Sequence, residues 1–395
     1  MPERTAEKVY VQMESQTRSD GLTVVFGGAF DPPHLEHAKA LRCAVGTLGA
    51  KRVVVLPTSL PPHKGDGFLS FDERAELCRI AFSDVGTKVI VDDEERRRGK
   101  DNYAYILLEI MKERYGNIVY LIGGDSLRDL HAWKHPEKIL GICPVAVAPR
   151  EGCGDAEEQA ARAKELYGGE IFTLPFMGDN VCSGRVKAKL LLGEECPELD
   201  RRVTEFISKR GLFSKYTATV EKLRGFESEE LFLHSKQVVL RAADLNSRHN
   251  LGEDFEKVFV AALLHDNAKE RPSLDGLEVP VDSVGTPVLH QFLGAEKAAR
   301  DFGVEDRDIL EAIRVHTTAK AGMSVFEKLI YTADSTSYDR EYDPIPALRE
   351  IADEDFEQGF LAVLAYTYRK LVKKGGAIYP LTEEAVRYYL PQGAV

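Results

Sequence analysis

Six residues in the C-terminal half of the chain have the types and the order of a metal-binding set. They are four histidines and two aspartates: His234, His265, Asp266, His290, His316 and Asp334. The chain contains only ten histidines, so four of them fall in this one series. Because imidazole and carboxylate groups are ligands for first-row transition metals, the set predicts a metal centre.

The doublet His265-Asp266 directly follows an apolar run, Val258 to Leu264, which predicts two ligands at the end of a buried helix. A buried carboxylate without a partner costs on the order of several kcal/mol or changes its protonation state. A bound metal supplies that partner. Each of the other four members also closes an apolar stretch, so we expect their side chains to point inward. The alternative is that the six residues belong to the core and make ordinary hydrogen bonds. That alternative explains a single histidine better than a series of four histidines and two aspartates.

A second candidate site lies in the N-terminal half. A predicted strand at 23–26 runs into Gly27 and Gly28, and a helix is expected to begin near His34. Glycines let the backbone approach a ligand closely, and a helix N-terminus attracts phosphate. Because His34 and His37 are three residues apart, both imidazoles can face this end of the helix. The pattern predicts a triphosphate site, and the alternative is a glycine turn with two surface histidines.

The elements that would position the N-terminal site alternate between strand and helix. Short β-branched runs predict strands at 23–26, 53–56, 89–91, 118–122, 145–147 and 171–174. Continuous apolar strands separated by helices are typical of a parallel sheet that is covered on both faces. Ser70 and Glu73 fit a capping box, which marks the start of one helix. The N-terminal half is therefore predicted to be an α/β domain with a doubly wound, Rossmann-like parallel sheet.

The pattern changes near Gly211, which fits a helix stop. Beyond it the strand-like runs vanish, and helical periodicity continues to Leu390. The sequence thus predicts two domains: a polar N-terminal extension at 1–20, the α/β domain at 21–212 and an all-α domain at 213–395.

Composition limits the class of function. The 395-residue chain has a formal net charge of -12, which argues against a general nucleic-acid binder. Its six cysteines lie in the N-terminal half without a Cys-x-x-Cys pair, as reduced cytosolic thiols do. Neither a signal sequence nor an apolar stretch of membrane-spanning length is recognisable. We therefore expect a cytoplasmic protein with small-molecule ligands and with neither nucleic acid nor membrane as partner. A homo-oligomer stays open.

The motifs of the N-terminal half resemble those of bacterial nicotinate-mononucleotide adenylyltransferases, in the HxGH nucleotidyltransferase superfamily. The resemblance covers about residues 21–210 and rests on Gly27 to His34 with His37, Pro62-His63-Lys64, Arg74, Gly123 to Leu127 and Trp133. It implies transfer of AMP from ATP to nicotinate mononucleotide, with Mg²⁺ as the countercharge of ATP. In this family the substrate phosphate attacks the α-phosphorus directly, so the protein positions the reactants and stabilises charge.

The resemblance also implies roles for individual residues. His34, His37 and Lys64 would bind the ATP phosphates, and Trp133 with Tyr103 would stack on the pyridine ring. The other nucleotide-binding residues that it implies are Gly27, Gly28, Phe30, Gly124, Asp125, Ser183 and Lys187. The chain departs from the family's pattern at Glu36, Ala104, Gly184 and Lys187. Two interpretations therefore stay open: an active adenylyltransferase, or a nucleotide-binding module that regulates the other domain.

The C-terminal half resembles the HD phosphohydrolase superfamily and, more narrowly, the YqeK-type symmetrical bis(5'-nucleosyl)-tetraphosphatases. The resemblance covers about residues 225–390 and rests on Leu264 to Lys269, Leu289-His290, Gly294-Ala295, His316 to Thr318 and Ala333-Asp334 with Arg340. It implies a di-metal centre, with iron expected first and manganese or another divalent ion open. The implied reaction is hydrolysis of a dinucleoside polyphosphate, diadenosine tetraphosphate, to two ADP.

The same resemblance implies how the ligands are divided. Asp266 would bridge two ions, with His234, His265 and Asp334 on one side and His290 with His316 on the other. Lys269 and Arg340 would bind phosphates. Taken together, the sequence predicts a bifunctional enzyme in which an adenylyltransferase-like domain is fused to an HD phosphohydrolase.

Overall fold

The structure is a computed structural model that describes residues 21–59, 69–99, 102–274 and 276–391. Within these residues the chain forms two compact units. One contains residues up to 186 together with 196–212, and the other contains 187–195 and the residues from 213 onward. The predicted extension at 1–20 and the predicted phosphate ligand Lys64 lie outside the described residues. In the part of the chain that is described, no helix is long and apolar enough to cross a membrane.

A six-stranded sheet forms the centre of the first unit. Its strands are β1 (Thr23–Gly28), β2 (Arg52–Pro57), β3 (Lys88–Val91), β4 (Ile118–Gly123), β5 (Val145–Ala148) and β6 (Ile171–Thr173). They lie in the order β3-β2-β1-β4-β5-β6, and every neighbouring pair is parallel. The predicted doubly wound α/β fold is confirmed. The strand order reverses between β1 and β4, which is where open sheets of this kind bind ligands at the carboxyl edge.

Helices lie between the strands and also follow β6. They are α1 (Leu35–Leu48), α2 (Phe71–Ala81), α3 (Glu94–Arg98), α4 (Ala104–Tyr115), α5 (Gly124–Arg128), α6 (Pro136–Ile142), α7 (Ala156–Tyr167), α8 (Ser183–Leu191) and α9 (Arg201–Arg210). The predicted capping box begins α2: the Glu73 N–H donates to Ser70 Oγ over 3.3 Å, and the Ser70 N–H donates to Glu73 Oε2 over 2.8 Å. Apolar side chains of β1, β2, β4 and β5 pack with those of α4, α5, α6 and α7 into one core.

One buried arginine fixes the carboxyl ends of β1 and β2. Arg74, on α2, is 2% exposed. Its guanidinium donates to the carbonyl oxygens of Ala29 (2.8 Å) and Thr58 (2.7 Å), which follow the two strands, and to that of Leu69. Because a buried carbonyl needs a donor, Arg74 stabilises both loops at the edge where a ligand is expected.

Among the described residues of the second unit, the regular elements from 217 to 389 are helices and no strand is present, as predicted. Its helices are α10 (Thr217–Phe226), α11 (Glu229–Arg248), α12 (Phe255–Leu264), α13 (Leu289–Phe302), α14 (Arg307–Val315), α15 (Val325–Ser335), α16 (Ile345–Glu354), α17 (Phe356–Lys374) and α18 (Pro380–Tyr389). Helix α11 packs on α12 and α15, and α14 packs on α12, α13 and α15. The apolar run from Val258 to Leu264 is the buried helix that the sequence predicted.

Replacing Arg74 with methionine tests whether this residue holds the two loops. Methionine keeps a long, unbranched side chain at this position but leaves the carbonyls of Ala29 and Thr58 without a donor. We therefore expect a loss of about 2–4 kcal/mol of stability. Thermal unfolding of the full chain would show it as a lower midpoint. Arg79→Ala on the same helix is the control, since Arg79 is exposed and forms a surface ion pair with Glu76. Equal midpoints for the two variants would contradict this role.

Candidate active sites

The six predicted metal ligands come from five helices that pack together in the second unit. His234 lies in the second turn of α11, and His290 lies in the first turn of α13. His265 and His316 directly follow the ends of α12 and α14, and Asp334 lies in the last turn of α15. His234, His265, Asp266 and His316 are buried. The structure therefore brings all six side chains together.

Backbone carbonyls orient three of the imidazole rings. The Nδ1 atoms of His265, His290 and His316 lie 2.8, 2.7 and 2.7 Å from the carbonyl oxygens of the residues three positions earlier, which are Ala262, Pro287 and Ile313. A carbonyl only accepts hydrogen bonds, so each Nδ1 carries the proton and each Nε2 keeps a free lone pair. This arrangement is the usual support of a metal-binding histidine.

The carboxylate of Asp266 lies between two groups of these Nε2 atoms. Its Oδ2 is 3.2 Å from Nε2 of His265 and 3.8 Å from Nε2 of His234. Its Oδ1 is 3.4 Å from Nε2 of both His290 and His316. Each oxygen therefore faces a different group of ligands, which is the geometry that a bridging carboxylate requires.

Two atoms at the centre fit a bound cation. Nε2 of His265 and Oδ1 of Asp266 are buried, and among the residues described here neither has a hydrogen-bond partner. A buried polar atom without a partner costs about 1–3 kcal/mol, and a cation would offset that cost. Two ligand trios also have donor atoms within 4.8 Å of one another: His234 with His265 and Asp334, and His265 with Asp266 and His316. The donor set fits divalent metals.

The electrostatics favour the protonation states that bind metals. Burial lowers the pKa of His265, and burial with the nearby His316 lowers the pKa of His290 to about 4, so both rings are neutral near pH 7. The pKa of Asp266 lies well below its usual range, although burial alone would raise it, so its carboxylate is ionised. Neutral imidazole and ionised carboxylate are the ligand forms.

Asp334 and His234 form a charged pair. Burial opposes ionisation of Asp334, but Arg340 and His234 hold its pKa well below the usual range. Burial likewise opposes charge on His234, but hydrogen bonds to Asp334 and Asp339 raise its pKa to about 9. Metal binding at His234 therefore displaces a proton.

Asp339 and Thr317 also contact the candidate ligands; Thr317 belongs to the motif from His316 to Thr318, whereas the sequence did not single out Asp339. Asp339 Oδ2 lies 2.9 Å from Nδ1 of His234, so this carboxylate orients the fourth imidazole as the carbonyls orient the other three. Thr317 Oγ1 lies 3.0 Å from Nε2 of both His290 and His316. For Asp339, the only sequence signal is its position five residues after Asp334.

Two cations flank the carboxylates. The ammonium of Lys269 lies 2.6 Å from Asp266 Oδ2, and the guanidinium of Arg340 lies 2.5 Å from Asp334 Oδ1. The Lys269 side chain is 43% exposed, so it can also reach a ligand from solvent. Ammonium and guanidinium groups bind phosphate oxygens by charge-assisted hydrogen bonds. Their predicted phosphate contacts fit this placement.

In the first unit, His34 and His37 lie together at the N-terminus of α1. Their ring centroids are 3.7 Å apart with planes inclined by 27°, and the His34 N–H donates to His37 Nδ1 over 3.2 Å. His37 therefore carries its proton on Nε2. Burial lowers the pKa of both residues, that of His37 to about 3, so the two rings are neutral hydrogen-bonding groups rather than cations.

The predicted glycines lie where backbones approach closely. Gly27 and Gly28 end β1, and a Cβ atom on Gly28 would lie 3.0 Å from the buried ring of Phe30. Gly124 begins α5, and a Cβ atom there would lie 3.3 Å from the backbone nitrogen of Arg150. A side chain at Gly28 or Gly124 would thus be tightly packed. The predicted nucleotide contacts of all three glycines stay predictions.

The aromatic and polar members of the predicted nucleotide site remain accessible in part. Tyr103 is 42% exposed, Trp133 is half-buried against Tyr120, and Asp125 lies in the first turn of α5. Ser183 donates from Oγ to the Pro32 carbonyl over 3.1 Å at the start of α8.

Lys187 is placed differently from the expectation for a phosphate ligand. It is buried and belongs to the second unit, where its ammonium lies 4.6 Å from the ring centroid of Phe255. The ammonium thus has an aromatic neighbour in this structure. Its predicted contact with ATP stays a prediction.

Glu36, which replaces a glycine of the family's pattern, points toward the loop after β6. Its Oε2 accepts from the Asp179 N–H over 3.1 Å, and its Oε1 lies 2.5 Å from the ammonium of Lys39. A Cβ atom on Gly178 would lie 3.2 Å from the same carboxylate. Glu36 is therefore paired with a cation and connects the first turn of α1 to this loop.

Removing the Asp339 carboxylate tests its support of the metal centre. Without it the His234 ring loses its orienting partner, so Asp339→Ala should lower metal affinity by about 10- to 100-fold. Equilibrium dialysis of the full chain against manganese, followed by elemental analysis, measures this. Glu341→Ala, two residues away with a side chain that is 69% exposed, should leave the affinity unchanged. Equal metal binding by the two variants would overturn the assignment.

Comparison with known proteins identifies two families along the chain. A cytidylyltransferase-like family model matches residues 25–188, and an HD domain model matches residues 231–339. Over 365 residues the chain is 24% identical to a probable nicotinate-nucleotide adenylyltransferase/Ap4A hydrolase of Mycoplasma genitalium. That match covers 89% of this chain and 98% of the relative, so the same two domains occur in one polypeptide in both proteins.

Each half also matches a shorter relative. A probable nicotinate-nucleotide adenylyltransferase of Gloeobacter violaceus is 31% identical, covering 48% of this chain and 94% of that protein. The symmetrical bis(5'-nucleosyl)-tetraphosphatase of Bacillus subtilis is 33% identical, covering 39% of this chain and 87% of that protein. The chain therefore belongs to the nicotinate-nucleotide adenylyltransferase family in its N-terminal half and to the HD-domain symmetrical bis(5'-nucleosyl)-tetraphosphatase family in its C-terminal half.

Proposed function

We propose that the C-terminal domain hydrolyses dinucleoside polyphosphates, such as diadenosine tetraphosphate to two ADP, at a di-metal centre. The observation that carries the proposal is the position of Asp266, whose two oxygens face two different groups of histidine Nε2 atoms. Bound divalent ions, iron first and manganese as an alternative, supply an activated water and neutralise phosphate charge. Water adds to one phosphorus, and the bond to the bridging oxygen of the second ADP breaks.

The protein residues around the centre bind and orient the polyphosphate. Lys269 and Arg340 lie against Asp266 and Asp334, so each cation can exchange its carboxylate contact for a phosphate oxygen once the carboxylates bind metal. The Thr317 hydroxyl, between His290 and His316, is placed to hydrogen-bond an oxygen that enters the second half of the centre. These contacts favour a substrate with several consecutive phosphates.

For the N-terminal domain, we propose transfer of AMP from ATP to nicotinate mononucleotide. The phosphate of the mononucleotide forms a bond to the α-phosphorus of ATP, and pyrophosphate leaves. His34 and His37 are neutral donors at the N-terminus of α1, where the helix dipole favours the phosphates of Mg²⁺-bound ATP. Trp133 and Tyr103 offer aromatic surface for the pyridine ring.

A second candidate function for this domain is nucleotide binding without turnover, which would regulate the hydrolase. The observations that favour it are Glu36 and Gly184, where the chain departs from the adenylyltransferase family's pattern. Pyrophosphate release separates the two candidates. ATP binding without release, combined with a hydrolase rate that depends on ATP, would favour regulation.

Two substitutions separate the proposed activities. Asp266→Ala removes the shared carboxylate, so hydrolysis of diadenosine tetraphosphate should fall by about 100-fold or more while pyrophosphate release from ATP and nicotinate mononucleotide is unchanged. His37→Ala should do the reverse, because it removes a phosphate donor. Both activities are measured on the same full-length preparations, so each variant controls for the folding of the other. Loss of both activities in either variant would contradict separate sites.

Glu36 gives a further test of the N-terminal domain. Glu36→Gly restores the family residue but removes the acceptor of the Asp179 N–H, so we expect the KM for ATP to rise by up to about 10-fold. Glu36→Gln keeps an acceptor oxygen and should stay within about twofold of the natural chain. Steady-state pyrophosphate release measures both. A lower KM in the glycine variant would show that the carboxylate obstructs the triphosphate.

A further inference from the structure

An exposed tyrosine lies two residues beyond the phosphate-facing arginine of the hydrolase centre. Tyr342 is 48% exposed, although tyrosine side chains of folded proteins usually bury most of their rings. Arg340, two positions earlier, contacts the metal-ligand candidate Asp334. The Arg340 side chain therefore lies between the loop that carries Tyr342 and the candidate metal ligands.

A second ring and a cation complete this surface. Tyr366, on α17, is partly buried and packs against the core of the unit. Lys370 lies one turn later on α17, and its ammonium is 5.8 Å from the ring centroids of both Tyr342 and Tyr366. We call these three residues, Tyr342, Tyr366 and Lys370, the tyrosine patch. Burial and the nearby Tyr342 raise the pKa of Tyr366, so this phenol stays neutral at physiological pH.

The loop that carries Tyr342 is held firmly. The guanidinium of Arg349 donates to the carbonyl oxygens of Ser337 (2.7 Å) and Arg340 (3.0 Å). The Ile345 N–H donates to the Tyr342 carbonyl over 2.9 Å. These bonds fix the position of Tyr342 relative to Arg340, and Arg340 is fixed by Asp334. A preorganised aromatic surface loses little entropy when a flat ligand stacks on it.

We propose that the tyrosine patch binds the nucleobase of the polyphosphate substrate, an inference that rests on the proposed hydrolase function. When a dinucleoside tetraphosphate is cut into two nucleoside diphosphates, one further phosphate and a ribose separate the nearer base from the phosphorus under attack, and two phosphates and a ribose separate the other base. The binding site for the base must therefore lie outside the set of metal ligands, on the far side of a cation that binds phosphate. Arg340 is that cation, and the tyrosine patch lies beyond it. Aromatic rings stack on any base, so the patch recognises a nucleoside without selecting among purines.

Substitution of Tyr342 tests this site. Tyr342→Ala should raise the KM for diadenosine tetraphosphate by about 5- to 150-fold with a small change in kcat, since loss of base stacking costs about 1–3 kcal/mol. Tyr342→Phe keeps the ring and should stay within about twofold of the natural chain. Tyr388→Ala is the matched control, because Tyr388 is a 65% exposed tyrosine of α18 outside the patch.

Inhibition by ADP and by inorganic pyrophosphate shows whether the tyrosine patch recognises the base. ADP and inorganic pyrophosphate both inhibit a site that binds diphosphates, but only ADP carries a base. The Ki of ADP should rise in Tyr342→Ala as the KM does, whereas the Ki of pyrophosphate should not change. An equal rise for both inhibitors, or no rise for ADP, would overturn the inference.

A binding measurement keeps this inference separate from the proposed reaction. In a full-length background with His37→Ala, which weakens nucleotide binding by the N-terminal domain, calorimetry with manganese and ADP reports on the hydrolase site. Weaker ADP binding in Tyr342→Ala would support the base site even if the natural chain does not hydrolyse diadenosine tetraphosphate. Unchanged ADP binding would reject the base site whether or not the chain is a hydrolase.

Discussion

The second domain depends on a concentration of ionisable groups that would be unstable without a positive partner. Asp266 is fully buried, and four imidazole rings surround it and Asp334. Lys269 and Arg340 partly compensate the two carboxylates, but Oδ1 of Asp266 has no hydrogen-bond donor in the described part of the chain. Divalent cations satisfy this requirement, because each can take several of these lone pairs at once. Metal binding and stability are therefore coupled.

The helices of this domain are arranged to meet that requirement. Helices α12 and α14 end where His265 and His316 begin to face the centre, so the last carbonyls of each helix are available to the Nδ1 atoms. The same carbonyls that a helix leaves unpaired thus select the tautomer of the ligands. Asp339 does the same for His234, which lies inside α11 and has no such carbonyl. The end of a helix therefore also orients the candidate metal ligand that follows it.

Much of the fold and of the candidate metal site was predictable from the sequence. The other features depend on contacts between residues that are distant in the chain. The six candidate ligands were recognisable because four of the chain's ten histidines fall in one series and the six residues follow apolar stretches. The contact between Asp339 and His234 joins residues 105 positions apart, and the approach of Lys370 to Tyr342 depends on how α17 packs. In the first domain, strand and cap positions followed from local pattern, but the direction of Glu36 is set by Asp179, which lies 143 positions away. Local propensity carries no information about such pairings.

The most direct measurement is anomalous diffraction from crystals of the full chain grown with manganese. We expect two ions, one on each side of the carboxylate of Asp266. The first should contact His234, His265 and Asp334, and the second should contact His290 and His316. Crystals that show these side chains without bound ions, or with ions elsewhere in the chain, would contradict it.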